Sequence, residues 1–423
     1  MEVKDDYKRV AKNSIFLYIL TFSNYLLGLL LYPYLSRTLS VSYFGLFGFS
    51  MVFATIIQVV IEYGFMISAT ASISKNRDNG KAISNIMSDT LFAKILLFGL
   101  ALTVFLTIAW LLPMVKSNFM IVLLFFINGA LTAFIPDYYF RGIEKMKAIA
   151  IRTIIIRAAS YTPVLIFIQG DSDLMKLPLF LAAGNLLALF VTYALIYKDG
   201  VRFCAPRVKR AICLIKESFF FFLSRFAASI NSSLGSFVLG LSYAPASLQV
   251  GLFAGCSKLS SACEMMLSPV SDSIYPHMVH KKDYGLLKKV LIGGTIIWLA
   301  VMVMAFIFAE AICAIILGAE YAAAGKYLRI LLIGSFFGFP TIMLGYPALT
   351  PIGKENHANI SLCIGSIAMI LACLILYSTD SINLVSICCV VISSNIINTL
   401  YRGSALIRYR KVASAVKGEG KSD

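Results

Sequence analysis

Four basic residues of this chain lie inside segments that are otherwise long and apolar enough to cross a bilayer: Lys94, Arg157, Arg225 and Lys258. A cation at the centre of a membrane helix costs at least ~2.5–3.5 kcal/mol on insertion scales, so it usually faces a wet cavity or a partner. If several of them line one cavity, its contents are expected to be anionic. Phosphate oxygens suit Arg and Lys because they accept charge-assisted hydrogen bonds.

The four cations differ in depth. Lys94 lies near the cytoplasmic end of its apolar segment, and its long stem is expected to carry the ammonium group to the membrane interface. Arg225 lies deeper, among Ser and Asn residues, and Lys258 is near the middle of its segment. We predict Arg157, Arg225 and Lys258 as substrate-binding cations, with Lys94 and Arg37 as weaker candidates.

Four acidic residues accompany them as candidate coupling or counter-ion groups: Glu62, Asp137, Glu264 and Asp272. Intramembrane carboxyl groups either carry protons along a transport path or neutralise nearby cations. For Glu62 both interpretations stay open, whereas a polar residue at a helix end is favoured for Asp137. Lys258 would either pair with an acid or bind a substrate phosphate.

Composition places these residues in a membrane protein. The chain has 423 residues, of which 59% are hydrophobic, above the roughly 45–50% of soluble domains. The formal net charge is +16, but the basic residues cluster in short loops, as the positive-inside rule requires. We therefore predict no nucleic-acid partner. The nine Cys have no metal-type spacing, and no metal or cofactor is expected.

Twelve membrane-spanning helices can be drawn, since ~20 apolar residues cross the bilayer core. They lie at about 13–35, 44–68, 90–112, 119–139, 153–169, 177–197, 218–242, 249–273, 290–316, 328–350, 359–377 and 383–401. Of the 37 Lys and Arg residues, 28 fall on one side of this drawing, 5 on the other and 4 inside it. This asymmetry predicts an all-α integral membrane protein with both termini in the cytoplasm.

The chain also partly repeats itself. Leu35-Ser36, eight further residues and Gly45-Leu46-Phe47 match Leu241-Ser242, eight residues and Gly251-Leu252-Phe253, at an offset of 206 residues. Chance is the alternative, because Leu, Gly and Phe are abundant. Six spans in each half predict two parallel repeats, related by a pseudo-two-fold axis along the membrane normal, with substrate handled at their interface. The predicted divisions are an N-lobe at 1–205, a C-lobe at 206–405 and a basic, disordered cytoplasmic tail at 406–423.

Three segments resemble the O-antigen flippase (Wzx) branch of the multidrug/oligosaccharidyl-lipid/polysaccharide exporter superfamily. They are residues 35–47, residues 62–70 with the following Arg77-Asp78, and residues 137–146. The third is the most specific, although Tyr138 and Arg141 stand where Trp and Gln are expected, and Glu62 replaces an Asp. All three lie in the first half, while length and span count extend the likeness over nearly the whole chain.

The resemblance implies two six-helix bundles and a transport function rather than an enzymatic one. The substrate would be an undecaprenyl-diphosphate-linked oligosaccharide repeat unit, moved by alternating access to the periplasmic leaflet of the bacterial inner membrane before polymerisation. Expected partners are this lipid-linked oligosaccharide, membrane lipid, an O-antigen polymerase and a chain-length regulator.

Two other functions remain open. A cation-coupled drug antiporter of the same fold would need a cavity dominated by acids and aromatics rather than by Arg157, Arg225 and Lys258. A membrane polysaccharide polymerase would need a sizeable outward loop, and the longest predicted here has only about a dozen residues. No P-loop pattern is present, so no built-in ATPase is expected.

Overall fold

The structure, a computed structural model, describes Gly28 and residues 30–409, apart from the side chain of His280. Every regular element in these residues is helical. The first helices are α1 (30–38), α2 (Val41–Glu62), α3 (Phe65–Lys75), α4 (Gly80–Leu111), α5 (Pro113–Ser117), α6 (Phe119–Phe134), α7 (Asp137–Gly142), α8 (Met146–Phe167) and α9 (Lys176–Lys198).

The remaining helices begin with the long α10. They are α10 (Val208–Tyr243), α11 (Leu248–Met265), α12 (Ser268–Lys281), α13 (Tyr284–Ile307), α14 (Ala309–Leu317), α15 (Gly325–Ser335), α16 (Gly338–Met343), α17 (Tyr346–Leu349), α18 (Asn356–Ser378) and α19 (Leu384–Arg408). Short 3-10 turns lie at Asp171–Asp173, Ala319–Ala324 and Thr350–Ile352.

Nine segments of the described chain are helical, long and apolar enough to cross a membrane, and they match nine of the predicted spans. The predicted first span and the cytoplasmic N-terminus lie almost wholly outside the described residues. The predicted seventh and eighth spans are helical, as α10 and as α11 with α12, but are more polar. The all-α membrane fold is therefore confirmed, while the count of twelve stays a prediction. Helix α19 continues into the predicted tail as far as Arg408, and residues 410–423 lie outside the described part.

The described chain forms two compact units. Unit 1 contains the residues up to Ser40 together with Ser50–Ser229, and unit 2 contains Val41–Phe49 together with the residues from Ile230 onward. The divisions fall inside α2 and α10, so each of these helices contributes to both units. The lobe boundary drawn at residue 205 stays a prediction.

In unit 1, the segment that carries the most specific motif is largely part of the core. Helix α7 packs on α3, and Tyr138, Tyr139 and Phe140 are each no more than 3% exposed. Gly142 permits this contact, because a Cβ there would lie 2.6 Å from Cγ2 of Ile73. The motif thus fixes the junction of two short helices.

In unit 2, the two copies of the repeated Gly-Leu-Phe sequence meet at their glycines. A Cβ on Gly45 would lie 2.7 Å from the backbone nitrogen of Gly251, and a Cβ on Gly251 would overlap the carbonyl oxygen of Val41. Small residues let membrane helices approach this closely, so the start of α2 is held tightly against α11.

Replacing this glycine should therefore destabilise unit 2. We expect Gly251→Ala to cost about 1–3 kcal/mol, because the added methyl group forces two backbones apart. The matched control is Gly293→Ala on α13, where no atom lies within 4 Å of the added Cβ. Thermal unfolding of the purified protein in detergent measures both, and equal midpoints for the two variants would contradict the packing described.

Candidate functional site

A break between α2 and α3 allows an ion pair between two residues of unit 1 that lie far apart in the sequence. Glu62 is the last residue of α2, and the helix stops because Tyr63 and Gly64 adopt left-handed conformations, with φ of 42° and 77°. Glycine tolerates this region at little cost. The break leaves Glu62 at a helix end, where its side chain can turn towards another helix.

Helix α10 holds the break in place. A Cβ on Gly64 would lie 2.6 Å from Cβ of Phe221, so only glycine allows the two backbones to approach. The ring of Tyr63 stacks on Phe222, with centroids 4.2 Å apart and planes 9° from parallel. Arg225 follows Phe222 by three residues, close to one helical turn, which places the guanidinium beside Glu62.

The resulting pair is unequal in exposure. Nη2 of Arg225 donates to Oε2 of Glu62 at 3.0 Å, and Nε2 of Gln58 donates to Oε1 at 2.9 Å. The side chain of Glu62 is 10% exposed, whereas that of Arg225 is 41% exposed. The carboxylate is satisfied on both oxygens. Within the described residues no other partner is found for the guanidinium, whose planar fork is suited to bidentate contact with phosphate.

Lys94 behaves differently, and the prediction that its ammonium group reaches the membrane interface is wrong. Helix α4 begins at Gly80, ten residues before the predicted start, so Lys94 lies about four turns into it. The residue is 2% exposed. Its Nζ donates to the carbonyl oxygen of Ala133 at 2.6 Å and lies 5.0 Å from the centre of the Tyr138 ring.

The reason lies in the interruption between α6 and α7. Helix α6 ends at Phe134, just before Pro136, and its last carbonyl groups lack intrahelical partners. Lys94 supplies a donor to Ala133, and the hydroxyl of Tyr193 donates to the carbonyl of Phe134 at 3.3 Å. A cation is also favoured by the negative end of the helix dipole. Lys94 is thus a positioning residue for this break.

Asp137, at the start of α7, is the counter-ion of a second buried cation. Its Oδ1 lies 2.7 Å from Nη2 of Arg152, whose side chain is 6% exposed, and Nη1 of Arg152 donates to Thr192 at 2.9 Å. Sequence analysis assigned Arg152 to a loop. Starting the fifth span at Met146, where α8 begins, would have placed it inside a helix.

In unit 2, Glu264 is held by neutral groups. Its Oε1 accepts hydrogen bonds from Oγ of Ser335 at 3.0 Å and from Nδ2 of Asn395 at 3.2 Å. No ion pair of Glu264 is found within the described residues. Lys258 lies on the same helix, α11, and is also half-buried.

Sequence analysis also missed a buried cation in unit 2, Arg402, because it was counted with the cytoplasmic tail. It lies within α19 and is 8% exposed. Its Nη1 donates to the carbonyl of Thr341 at 2.7 Å, and its Nε donates to Ser361 at 2.8 Å. Helix α16, which contains Thr341, ends at Met343, so Arg402 repeats in unit 2 the role of Lys94. The helical pattern continues past the predicted end of span twelve, and this signal could have placed Arg402 inside a helix.

The other candidates lie apart from these contacts. Arg157 is half-buried on α8, one turn before Tyr161, while Arg37 and Asp272 are exposed on α1 and α12. The described contacts bring neither Arg157 nor Asp272 to another candidate residue. Within the described residues, no group of three or more His, Cys, Asp or Glu side chains could hold a metal ion.

The helices and these sites define a multi-pass membrane protein with charged groups fixed inside its helical units. Residues 10–282 match the family described as "Polysaccharide biosynthesis protein", which covers more than half of the chain. The chain therefore belongs to this family, and the resemblance found in the sequence is confirmed.

Two curated relatives carry the name "Putative O-antigen transporter". The relative from Escherichia coli (strain K12) is 31% identical over 274 residues, 64% of this chain and 65% of that protein. The relative from Shigella dysenteriae is 25% identical over 370 residues, 86% of this chain and 91% of that protein. The match thus spans just under two thirds of the first relative and nearly all of the second.

Solved structures establish the fold. The lipid II flippase MurJ, in an inward closed conformation, aligns with a TM-score of 0.70 at 14% identity, over 96% of this chain and 90% of that one. An inward-facing multidrug resistance MATE family transporter of the MOP superfamily aligns with a TM-score of 0.63 at 17% identity, over 93% and 95%. The chain has the fold of this superfamily.

The positioning role of Lys94 gives a stability prediction. Lys94→Met should cost about 1–3 kcal/mol, because it leaves the buried carbonyl of Ala133 without its donor. Lys94→Arg, which retains N–H donors, should cost less. Thermal unfolding in detergent measures both variants. Lys94 would not have this role if Lys94→Met unfolded at the wild-type temperature.

Proposed function

We propose that this chain is a flippase for undecaprenyl-diphosphate-linked O-antigen or polysaccharide repeat units. It would move them by alternating access from the cytoplasmic to the periplasmic leaflet of the bacterial inner membrane, with both termini in the cytoplasm. Family membership and the names of the relatives support this class of function. The observation that carries the proposal is Arg225, which Glu62 holds in place while much of its side chain stays accessible.

The chemistry of such a substrate fits this arginine. A sugar diphosphate is polar and anionic, so it needs fixed positive charge on its way through the membrane, while the lipid tail stays among lipids. Glu62 occupies one nitrogen of Arg225 and sets its orientation. The remaining N–H groups are then available to phosphate oxygens, with charge-assisted bonds stronger than neutral ones.

Arg157 and Lys258 are proposed as further phosphate-binding cations, since both are half-buried. Lys94 is no longer a candidate for substrate contact, because its ammonium group is buried against a carbonyl oxygen. Among the acids, Glu62 and Asp137 serve as counter-ions to Arg225 and Arg152. Glu264 is the better candidate for a coupling group.

The proposed partners follow from the substrate. They are the lipid-linked oligosaccharide itself, membrane lipid, and an O-antigen polymerase and chain-length regulator that would act on the product. The protein itself would catalyse no covalent step.

A cation-coupled small-solute antiporter of the same fold is the second candidate. The observation that favours it is Glu264, a half-buried carboxyl group with neutral hydrogen-bond partners. Loss of drug resistance on deletion, with surface polysaccharide unchanged, would favour this alternative over the flippase.

Removing the candidate cations should strongly reduce polysaccharide export. Arg225→Ala and Lys258→Ala are expected to lower the amount of surface polysaccharide about 10- to 100-fold, the effect of losing a hydrogen bond to a charged group. Arg225→Lys should be milder because it keeps the charge. The measurement is the polysaccharide ladder of a deletion strain that expresses each variant, with membrane protein quantified in parallel.

The matched control is Lys288→Ala, which removes an exposed charge from the start of α13. It should leave the ladder unchanged. Normal ladders from both Arg225→Ala and Lys258→Ala would contradict the role of these cations.

Coupling can be tested separately at the two acids. Glu264→Gln keeps the size and an acceptor oxygen but cannot release a proton, so we expect it to abolish the dependence of transport on a proton gradient in liposomes. Ser335→Ala removes one hydrogen bond and keeps the carboxyl group, so the dependence should persist. If Glu264→Gln keeps the wild-type dependence and Glu62→Gln loses it, coupling belongs to Glu62 instead.

A further inference from the structure

Unit 1 contains a polar cavity of about 280 Å³ at the end of α3, the start of α4 and the start of α10. Its charged and amide lining residues are Lys75, Asn76, Asn85, Asp89, Arg207 and Arg210. It shares no residue with the Glu62–Arg225 pair. Both chain segments that bring the basic residues are predicted to face the cytoplasm, where anionic lipid head groups attract basic side chains.

One wall of this cavity is fixed by the segment before α10. The backbone N–H of Arg202 donates to Ser84 at 3.1 Å, and that of Cys204 donates to Ser88 at 2.9 Å. The backbone N–H of Arg207 donates to Asp89 at 2.9 Å. These three acceptors are buried on α4, and the first two are one turn apart, so the segment lies along the helix.

Two of the charged lining residues, Asp89 and Arg207, form an ion pair with each other. Asp89 is 1% exposed. It accepts hydrogen bonds from Nε of Arg207, at 3.1 Å, and from Nη2, so these two charges compensate each other. Lys75 and Arg210 remain, giving the lining residues an excess of positive charge, part of which Glu217, outside the lining, offsets at Arg210.

Arg210 is held by residues of its own helix, where its Nη1 donates to Sγ of Cys213 at 3.4 Å. It donates to both carboxylate oxygens of Glu217, at 2.8 and 3.3 Å, and this hydrogen bond lowers the pKa of Glu217. The side chains are 43% and 47% exposed, and such exposed pairs contribute little to stability. Arg210 can therefore exchange Glu217 for a stronger anion in the cavity.

We propose that this cavity binds a phosphate group through Lys75 and Arg210, with the amides of Asn76 and Asn85 as additional donors. The volume lies just below the range of sites for drug-sized molecules, so it suits a phosphate or a small head group rather than an oligosaccharide. The phosphate could belong to an anionic phospholipid or be free in the cytoplasm.

The test uses the full-length protein in detergent, with apparent affinity taken from the shift of the thermal unfolding midpoint. The probes are short-chain phosphatidylglycerol, zwitterionic phosphatidylcholine and inorganic phosphate. The double variant Lys75→Gln/Arg210→Gln should bind phosphatidylglycerol about 10- to 30-fold more weakly, because it loses the attraction of two basic side chains for the anionic head group. Lys81→Gln/Lys209→Gln removes two neighbouring charges outside the cavity and should keep the wild-type affinity.

A third variant should change the affinity in the opposite direction. Glu217→Gln releases Arg210 and should tighten binding, which a merely structural role for Arg210 does not predict. Stabilisation by phosphatidylglycerol but not by phosphate identifies a lipid head group, and stabilisation by both shows that free phosphate is sufficient. The proposal is overturned if neither phosphatidylglycerol nor inorganic phosphate stabilises the wild type. It is also overturned if the two double variants lose affinity equally. The flippase proposal is unaffected by either outcome, because its test depends on other residues.

Discussion

A helix that is interrupted inside a membrane leaves backbone carbonyl groups that the protein must satisfy itself, because the hydrocarbon offers no donor. In each unit, a buried cation donates a hydrogen bond to such a carbonyl group. Lys94 donates to the carbonyl of Ala133 at the end of α6, and Arg402 donates to the carbonyl of Thr341 near the end of α16. Lys94 looks misplaced in the sequence and Arg402 was counted with the tail, yet both stabilise the breaks that let short helices redirect the chain.

The same constraint separates the buried cations from the cation proposed to bind substrate. Lys94 and Arg402 are almost wholly buried and are used by the backbone. Arg225 is instead paired with a carboxylate at a helix end and remains 41% exposed. A guanidinium that is oriented but not enclosed can exchange solvent for a phosphate without losing its counter-ion. Arg225 is therefore proposed as a binding cation on the grounds of its partner and its exposure, rather than its depth in the membrane.

The sequence predicted the helical membrane fold and the family, and it indicated Glu62 and Arg225 as candidates, because hydropathy and short motifs are local signals. It could not predict that these two residues pair, since 163 positions separate them and only packing against the Tyr63–Gly64 break brings them together. Lys94 was misplaced because Ser84, Ser88 and Asp89 make the start of α4 look like a loop. Those residues are polar because they hold the segment before α10, a tertiary contact that has no local pattern.

In the proposed function, the decisive interaction is recognition of the lipid carrier's diphosphate by Arg225. Direct binding of undecaprenyl diphosphate to purified protein tests it, with undecaprenol as the ligand that lacks phosphate. We expect Arg225→Ala to weaken binding of the diphosphate about 10- to 100-fold and to leave binding of undecaprenol unchanged. Equal affinity of wild type and Arg225→Ala for undecaprenyl diphosphate would contradict it.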